Sequence, residues 1–439
     1  MKIKKILKTS LALALSLGVL VGCGGNEKAN TASNDASNAS TEKKESTIVE
    51  DLKDKKVEIT FWHAMSGGQG EALEKLVKEF EEKNPNIKVN LQNQAAYKDL
   101  NQKLTATMQS VDQLPTITQA YPDWMVQFID GGLVQDLKPY IENEKLKFDN
   151  YDDIVEGLRN EVEKDGKIMA LPFNKSTEIF WYNKSLFDEL GLKVPRNYDE
   201  LKEVAKKIHD EKGIAGVGFD SLSNYYQTYL ENKGIKMDSK LDVTSDVSKE
   251  AINYYLDGIK EGYFRIAGSD KYMSAPFANE QVGAYIGSNA GEVYVKDGVQ
   301  GKFEYEAAAY PAEKSVQQGT NIYMFNNATE EEKTAAYLFL KFLTEKDSQI
   351  QFGLDTGYIP VRQSAIKDDA YKNSDSKVAP IIGEATKELY TRVVEPGSQQ
   401  AYNDTQSFLE KIFSNPENVD LDKELESFKQ TYESAYQQQ

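Results

Sequence analysis

Near the start of the globular sequence, apolar residues first alternate with polar ones and then recur at helical spacing. Residues 57–61 (VEITF) alternate as a half-buried β-strand does, and residues 87–91 (IKVNL) alternate again. Between them, apolar residues at 73, 76, 77 and 80 have the spacing of a one-sided helix. Ser66-Gly67-Gly68 supplies a flexible loop before that helix, and Asn84-Pro85 ends it. The pattern predicts a strand, loop, helix, strand unit, in which ligands bind beyond the carboxyl ends of the strands.

The alternation of strands and helices continues along the chain. Strand patterns lie at 114–121, 281–286, 303–310 and 319–325, and helical patterns lie at 201–208, 331–343 and 346–354. Pro172 separates two apolar runs, which predicts that the chain leaves one sheet there and enters another. Tyr225, Tyr226 and Tyr229 form an aromatic stripe, which is either core or a wall for stacking sugars. The predicted fold class is α/β, with mainly parallel sheets flanked by helices.

The amino terminus has the pattern of a secretory signal. Four lysines precede an apolar run from residue 9 to 21, which is short for a membrane span. Leu20-Val21-Gly22-Cys23 closes the run as a bacterial lipoprotein cleavage site does. We therefore predict that 1–22 is a signal peptide and that Cys23 carries the lipid, palmitate included, with a plain secretory signal as the alternative. Cys23 is the only cysteine, so no disulfide is predicted.

Composition then limits the classes of partner. Residues 23–56 have almost no large apolar side chain before Ile48, which predicts a flexible tether between the lipid anchor and the folded part. Such an anchor would hold the protein at the outer face of the cell membrane. The formal net charge of −18 argues against nucleic acid as a partner, because phosphate backbones need a basic face.

Three ordered motifs give the sequence a family resemblance. GKIMALPFNKST (166–177), WYNKSLF (181–187) and LGLKVPRNYDEL (190–201) follow one another, with FWHAMSG (61–67) before them and TGYIPV (356–361) after them. Together they resemble the extracellular solute-binding proteins of bacterial ABC importers, and within these the branch of glycerol-3-phosphate and oligosaccharide binders. The resemblance covers nearly all of residues 57–410.

The resemblance implies two α/β lobes with a ligand held between them. Chain crossings near Asn174, near Ile286 and around residue 340 would place 57–174 and 287–340 in lobe I. Residues 175–286 and 341–439 would then form lobe II. Hinge closure on the ligand is the expected mechanism, and a monomer that meets an ABC permease is the expected arrangement.

An enzyme is the competing class. The chain has two histidines, and it contains no HExxH, GxSxG or GxxxxGK[ST] motif, so we expect no catalytic residues, no metal and no cofactor. Carboxylate pairs occur in any chain with 70 acids, which leaves a secreted glycoside hydrolase as a remote alternative. A surface adhesin or a sensor's partner is a third class that shares the anchor.

By similarity to the glycerol-phosphate binders, ligand contacts are expected at Tyr97, Ser176, Ser288, Gly319 and Tyr358. The tyrosines offer a flat apolar face with a hydroxyl, which suits a sugar or polyol. The serines donate and accept hydrogen bonds, although each could equally be an ordinary turn residue. Gly319 would let a ligand approach the backbone closely.

Further candidates come from aromatic and charged residues near the same strand ends: Trp62, His63, Asp123, Trp124 and Tyr225. Trp181 is expected in the core, because it lies within an apolar strand.

Two departures from the glycerol-phosphate binders bear on the ligand. Pro122 stands where they have a glutamate, and residues 398–403 hold no arginine where they have one. Lys175 or Arg392 could substitute as the cation. A buried phosphate without a cation is expensive, so the sequence favours a neutral sugar or oligosaccharide, with a glycerol phosphate or glycerophosphodiester as the alternative.

Overall fold

The computed structural model describes residues 48–437. The predicted signal peptide, Cys23 and most of the predicted tether lie outside the described residues. Residues 48–56 were also assigned to the tether, but Leu52 is buried in the core, and the Val49 carbonyl accepts a hydrogen bond from Thr334 Oγ1 at 2.8 Å. These nine residues therefore belong to the folded part.

The predicted alternation of strands and helices is confirmed. The strands of the described part are β1 (Val57–His63), β2 (Ile87–Asn93), β3 (Ile117–Ala120), β4 (Glu163–Lys164), β5 (Lys167–Ile168), β6 (Leu171–Asn183), β7 (Ala215–Phe219), β8 (Phe264–Ile266), β9 (Val282–Ser288), β10 (Tyr305–Ala309), β11 (Ser315–Met324) and β12 (Leu389–Thr391). The helices are α1 (Gly67–Lys83), α2 (Tyr97–Thr107), α3 (Val126–Asp130), α4 (Lys138–Ile141), α5 (Glu156–Val162), α6 (Lys184–Leu190), α7 (Tyr198–Lys212), α8 (Leu222–Asn232), α9 (Asp246–Lys260), α10 (Ser274–Ala278), α11 (Glu292–Val299), α12 (Glu330–Leu343), α13 (Lys346–Thr356), α14 (Gln363–Ile366), α15 (Asp369–Lys372), α16 (Ile382–Ala385), α17 (Ser398–Ser414) and α18 (Leu421–Gln437). No helix within residues 48–437 is both long enough and apolar enough to cross a membrane.

The strands form one long path in the order β2-β1-β3-β11-β6-β9-β7-β8, with β10 beside β6 and β12 beside β11. Pairing is parallel at both ends, between β1 and its neighbours β2 and β3 and between β7 and its neighbours β8 and β9. The central strands β11 and β6 pair antiparallel with each other and with the strands beside them in the path. The α/β class is confirmed, with two parallel halves joined through an antiparallel centre.

Strand β6 connects the two halves. Pro172 was expected to mark an exit from one sheet, but β6 runs unbroken from Leu171 to Asn183. Its first part pairs with β11, and from Glu178 onward it pairs with β9. The chain therefore changes halves inside a single strand, a few residues after the proline.

Buried apolar residues fall into three clusters. The first core packs around β1, β2 and β3. The second core, which includes Phe180, and the third core, which includes Ile179, cover β6, β7 and β9. Residues 342–361 contribute Phe342, Phe352 and Val361 to the first core, whereas the sequence-based division placed everything from 341 onward in lobe II. Trp181 was expected in the core, and its side chain is fully buried.

Candidate functional site

The site is built where the chain passes between the two halves. Three segments run side by side there, because Lys175 of β6 pairs with Gly319 of β11 and bridges to Ile359. Gly319 has φ +94°, and a Cβ at this position would lie 2.1 Å from the Asn174 carbonyl oxygen. Only glycine therefore allows the close approach of β11 to β6.

Three aromatic rings form the wall on the side of the first core. Tyr97 begins α2, and Tyr121 and Trp124 follow the carboxyl end of β3. The ring centroid of Tyr121 lies 5.3 Å from that of Tyr97 and 5.1 Å from that of Trp124, and Tyr97 lies 6.2 Å from Trp124. Edge and tilted contacts of this kind hold aromatic rings in a fixed arrangement. The predicted pair Tyr97 and Trp124 is thus brought together by a tyrosine that the sequence analysis did not select.

Hydrogen bonds fix the hydroxyl of Tyr97 in the centre of the site. It accepts from Asn174 Nδ2 at 3.2 Å and lies 3.3 Å from the Tyr358 hydroxyl. Gln119 Nε2 donates to Asn174 Oδ1 at 3.1 Å and reaches the Tyr97 hydroxyl at 3.5 Å. Burial raises the pKa of Tyr97 well above its ordinary value, with the nearby Tyr358 adding to the rise, so both hydroxyls are available as neutral donors and acceptors.

A second polar network lies on the side of the second core. The Tyr402 hydroxyl donates to Asn224 Oδ1 at 2.9 Å, and Asn224 Nδ2 donates to Glu178 Oε1 at 2.9 Å. The other oxygen of Glu178 is buried and has no partner among the described residues. Burial raises the pKa of Glu178 to about 8, so this carboxyl is mainly protonated at neutral pH.

The two buried cations near the site both have carboxylate partners. Lys175 Nζ lies 2.5 Å from Glu161 Oε2, with side-chain exposures of 2% and 11%. Arg392 Nη2 lies 3.2 Å from Asp123 Oδ2, with exposures of 18% and 5%, and its guanidinium stands 4.0 Å over the Tyr402 ring. Burial alone would raise the pKa of Glu161, but Lys175 and two amide donors hold it below the ordinary value. For Asp123 burial dominates, so its pKa is raised although Arg392 opposes the rise.

An open cavity of about 240 Å³ adjoins these groups. Its lining includes Tyr121, Asp123, Glu161, Gln317, Gly319 and Arg392. Next to the lining residue Asp123, Trp124 Nε1 donates to Gln399 Oε1 at 3.2 Å, which joins the first half to helix α17. The cavity is therefore lined by the segment after β3, by α5, by β11 and by residues at and after β12.

Several predicted residues lie apart from this cluster. Tyr225 is fully buried in the second core, and its hydroxyl donates to the Ala251 carbonyl at 2.6 Å. Trp62 is buried under Lys103, whose Nζ lies 3.9 Å from the centroid of the indole ring. The Trp62 Nε1 atom donates a hydrogen bond to Gln92 Oε1. Ser288 Oγ accepts from the Ala290 amide at 3.1 Å, and Ser176 is buried opposite Gln318. Both serines thus lie on the crossing strands, and within residues 48–437 neither side chain is hydrogen-bonded to Tyr97, Tyr121 or Trp124.

His63 is buried at the end of β1. Its Nδ1 accepts from the Met65 amide at 3.3 Å, and its Nε2 has no partner among the described residues. Burial lowers the pKa of His63 to about 4, so the imidazole stays neutral across the physiological range. The hydrogen bond from the Met65 amide holds the loop after β1, and the neutral imidazole supplies no positive charge to the site.

Residues that complete the site escaped sequence reasoning for different reasons. Tyr121 immediately precedes Pro122 at a strand end, and Asn174 stands inside the LPFN motif, so both carried a signal that could have been used. Glu161 lies in an acidic segment whose sequence is typical of a solvent-exposed helix. Nothing in the neighbouring sequence distinguishes Glu161 from Glu156 or Glu163 as a buried residue. Among the described residues no cluster of histidine, cysteine or carboxylate side chains is placed to hold a metal ion.

Comparison with known proteins gives one family match. A model of the family described as bacterial extracellular solute-binding protein matches residues 75–379. The sn-glycerol-3-phosphate-binding periplasmic protein UgpB of Brucella melitensis is 25% identical over 356 residues, which is 75% of this chain and 82% of that protein.

Solved structures resemble the fold at lower identity. UgpB from Mycobacterium tuberculosis in complex with glycerophosphocholine has a TM-score of 0.76 at 22% identity, covering 86% of this chain and 98% of that one. The GacH receptor of Streptomyces glaucescens, described in unliganded form and with acarbose, has a TM-score of 0.76 at 18% identity, covering 87% and 99%. A maltose-bound MalE3 of T. maritima has a TM-score of 0.75 at 20% identity, covering 86% and 99%.

Proposed function

This chain belongs to the bacterial extracellular solute-binding proteins, and we propose that it captures a neutral sugar or short oligosaccharide and delivers it to an ABC permease. Members of the family bind solutes and are not enzymes. Two features together support a neutral sugar as the ligand. Three aromatic rings form a wall of the site, and the buried cations Lys175 and Arg392 are each already paired with a carboxylate.

The aromatic wall suits a sugar ring. Tyr97, Tyr121 and Trp124 present apolar faces, and a pyranose has one face of C–H bonds and a rim of hydroxyls. The Tyr97 and Tyr358 hydroxyls and the Asn174 amide lie beside that wall, where they can exchange hydrogen bonds with sugar hydroxyls. A mostly apolar surface with a few placed polar groups is the usual build of a small-molecule site.

The charges argue for a neutral ligand. Arg392 is paired with Asp123 and Lys175 with Glu161, so the pairs contribute no net positive charge. A phosphate dianion would have to displace a carboxylate from one of these cations before it gained a partner of its own. Leaving that carboxylate buried and unpaired is costly, which offsets the gain from the new contact.

A glycerol phosphate or glycerophosphodiester is the second candidate, because the curated relatives are named for glycerol-3-phosphate. Arg392 also lines the cavity, where a rearranged side chain could meet a phosphate. Asp123 decides between the two ligands, because its carboxylate already pairs with the guanidinium of Arg392.

We further propose that ligand uptake closes two lobes that meet along β6, β11 and the segment at Ile359. The contacts Trp124–Gln399 and Asp123–Arg392 join the two sides, so closure would bring them together around the solute. A ligand favours the closed arrangement only through contacts that it makes with both sides.

A thermal-shift screen of the purified protein tests the ligand class. The panel contains monosaccharides, oligosaccharides, glycerol-3-phosphate and glycerophosphocholine, and a ligand at 100 times its dissociation constant stabilises by about 2.7 kcal/mol. We expect shifts with neutral sugars. A response to the phosphorylated compounds alone would reverse the ranking, and conversion of a glycoside to products would contradict a binding role.

A matched pair of variants links the response to the site. Tyr97→Phe removes the central hydroxyl, which should weaken sugar binding by about 0.5–1.5 kcal/mol, or roughly 2- to 12-fold. Tyr226→Phe removes a hydroxyl that pairs with Ser248 in the second core, and it should leave affinity unchanged.

For the anchor we propose that residues 1–22 are removed and that Cys23 carries fatty acid at the outer face of the membrane, with 24–47 as tether. Mass spectrometry of the protein from its host membranes would show the added lipid. Cys23→Ala should move the protein from the membrane fraction to the medium or the periplasm, and persistence in the membrane would contradict the anchor.

A further inference from the structure

Buried amide side chains fix the direction of the hydrogen bonds that reach Tyr97 from the sheet. The Ala64 amide can only donate, and it donates to Gln119 Oε1 at 2.9 Å. Gln119 therefore turns Nε2 towards Asn174 Oδ1 at 3.1 Å, to which Thr320 Oγ1 also donates at 2.5 Å. Because two donors face its oxygen, Asn174 turns Nδ2 towards the Tyr97 hydroxyl at 3.2 Å. Gln119, Asn174 and Thr320 are fully buried, so the protein alone sets these orientations.

The other end of the same network is fixed by a backbone carbonyl. The Ala290 carbonyl can only accept, and it accepts from Gln69 Nε2 at 3.0 Å. Gln69 therefore turns Oε1 towards the Tyr358 hydroxyl at 3.4 Å, and Tyr358 uses its single proton for that contact. The hydrogen bond of 3.3 Å between the hydroxyls of Tyr358 and Tyr97 is then made with the Tyr97 proton. All the hydrogen bonds from the Ala64 amide to the Ala290 carbonyl thus run in one direction.

The two tyrosine hydroxyls consequently have different roles, although both are neutral. The Tyr97 oxygen faces Asn174 Nδ2 and, at 3.5 Å, Gln119 Nε2, so the group that it can offer to a ligand is its proton. The Tyr358 proton faces Gln69, so this hydroxyl can offer a lone pair on its oxygen. The 3.3 Å contact between the two hydroxyls is long for a hydrogen bond between oxygens, so a ligand can replace it at small cost.

We propose that Gln119 and Gln69 are positioning residues that make Tyr97 a donor and Tyr358 an acceptor, so that the pair selects a hydroxyl group of the ligand. A hydroxyl can accept from Tyr97 and donate to Tyr358, whereas a phosphate dianion has no proton for the Tyr358 oxygen. A buried group that is left without its partner makes such a mismatch costly. This inference rests on the proposed function. It adds which chemical group of the sugar is recognised and which residues determine that choice.

Neutron diffraction tests the direction of the hydrogen bonds without any ligand. Crystals of the purified protein are exchanged into D₂O, and the deuterium atoms on the two tyrosine hydroxyls are located. We expect the deuterium of Tyr97 to point to the Tyr358 oxygen and that of Tyr358 to point to Gln69 Oε1. Deuterium on Tyr358 that points to Tyr97, or deuterium on Tyr97 that points to Asn174, would overturn the proposal.

The variant Gln69→Met tests the consequence for binding. It removes the acceptor that holds the Tyr358 proton, so an acceptor-only group can then receive a proton from each tyrosine. Calorimetry uses glycerol-3-phosphate and maltose as probes, or in place of maltose the sugar that gives the largest thermal shift. We expect the affinity ratio of sugar to glycerol-3-phosphate to fall by about 2- to 12-fold in Gln69→Met. The control Gln351→Met, which removes a side-chain hydrogen bond to Glu79 away from the site, should leave the ratio unchanged.

A double variant distinguishes positioning through Tyr358 from a general structural role of Gln69. If Gln69 acts by holding the Tyr358 proton, Gln69→Met should change the affinity ratio in the wild type and leave it unchanged in the Tyr358→Phe background. A change of the same size in both backgrounds would show that Gln69 acts by another route, and it would overturn the assigned role.

The outcomes separate this inference from the proposed function. A protein that binds none of the sugars contradicts the proposed function, and neutron diffraction still decides the direction of the hydrogen bonds. Binding of a sugar with the same affinity ratio in Gln69→Met as in the wild type overturns this inference alone. The same holds if Gln351→Met changes the ratio as much as Gln69→Met does.

Discussion

Replacing Lys175 by methionine should destabilise the protein far more than replacing any surface lysine. Methionine keeps most of the side-chain volume, so the variant removes the charge and leaves Glu161 buried. Glu161 Oε1 would still accept from Gln317 Nε2 at 2.9 Å, and Oε2 from Asn321 Nδ2 at 3.0 Å, but no cation would face it. Removing one member of a buried ion pair costs about 3–5 kcal/mol.

The expected shift in melting temperature follows from the size of the folded part. An unfolding entropy of about 2.1 cal/mol/K per residue gives roughly 0.8 kcal/mol/K for about 390 residues, so Lys175→Met should melt about 4–6 °C lower. The matched control is Lys207→Met, whose partner Glu211 lies one helical turn away at 2.6 Å with both side chains about half exposed. Exposed pairs of that kind contribute about 0.3–0.5 kcal/mol, which corresponds to less than about 1 °C.

The dependence on pH gives an independent check of the same reasoning. In the wild type the pKa of Glu161 is lowered, so its ionised form contributes stability that is present above its unfolded pKa and is lost as the pH falls. Without Lys175, burial prevails and the pKa of Glu161 rises, so the variant should be least destabilised at acid pH. Scanning calorimetry at pH 5 and pH 7.5 measures both effects. Equal shifts for Lys175→Met and Lys207→Met, or a constant Lys175→Met shift across this pH range, would refute the argument.

Three further predictions concern the backbone, a buried acid and the ligand. Gly319→Ala should lower the melting temperature far more than Gly132→Ala, since both have positive φ but only the first places a Cβ against backbone, so equal losses would contradict the close approach. The contribution of Glu178 to stability should fall as the pH rises from 4.5 to 8, because the unfolded group releases its proton near pH 4.5 and the folded group only near 8. The stability of the wild type relative to Glu178→Gln should therefore decrease across this range in calorimetry, and a difference that does not change with pH would count against the argument. Asp123→Asn should free Arg392 and raise affinity for glycerol-3-phosphate about tenfold or more in calorimetry, whereas no change would show that the guanidinium is not limiting.

Local periodicity was enough to predict most of the secondary structure. The residues at 73, 76, 77 and 80 are buried on one face of α1, and the alternation at 57–61 appears as the buried pattern of β1. Helices α12 and α13 begin within a residue of their predicted starts. These elements were predictable because burial of one face leaves a repeat in the sequence.

The pairing between distant segments could not be predicted in the same way. Pro172 was expected to interrupt a sheet, yet it lies within β6 opposite Asn321, where a missing amide is tolerated inside a 13-residue strand. Tyr225 was a candidate for the ligand wall because its helical stripe does not reveal which face meets the core. The pairing of Lys175 with Glu161, across 14 positions, depends on where β6 crosses α5, and no local pattern records that.

Small-angle X-ray scattering of the purified protein tests most directly the claim that two halves close on a neutral sugar. A sugar that raises the melting temperature should also lower the radius of gyration when it saturates the protein. An unchanged scattering curve in the presence of a sugar that demonstrably binds would contradict closure.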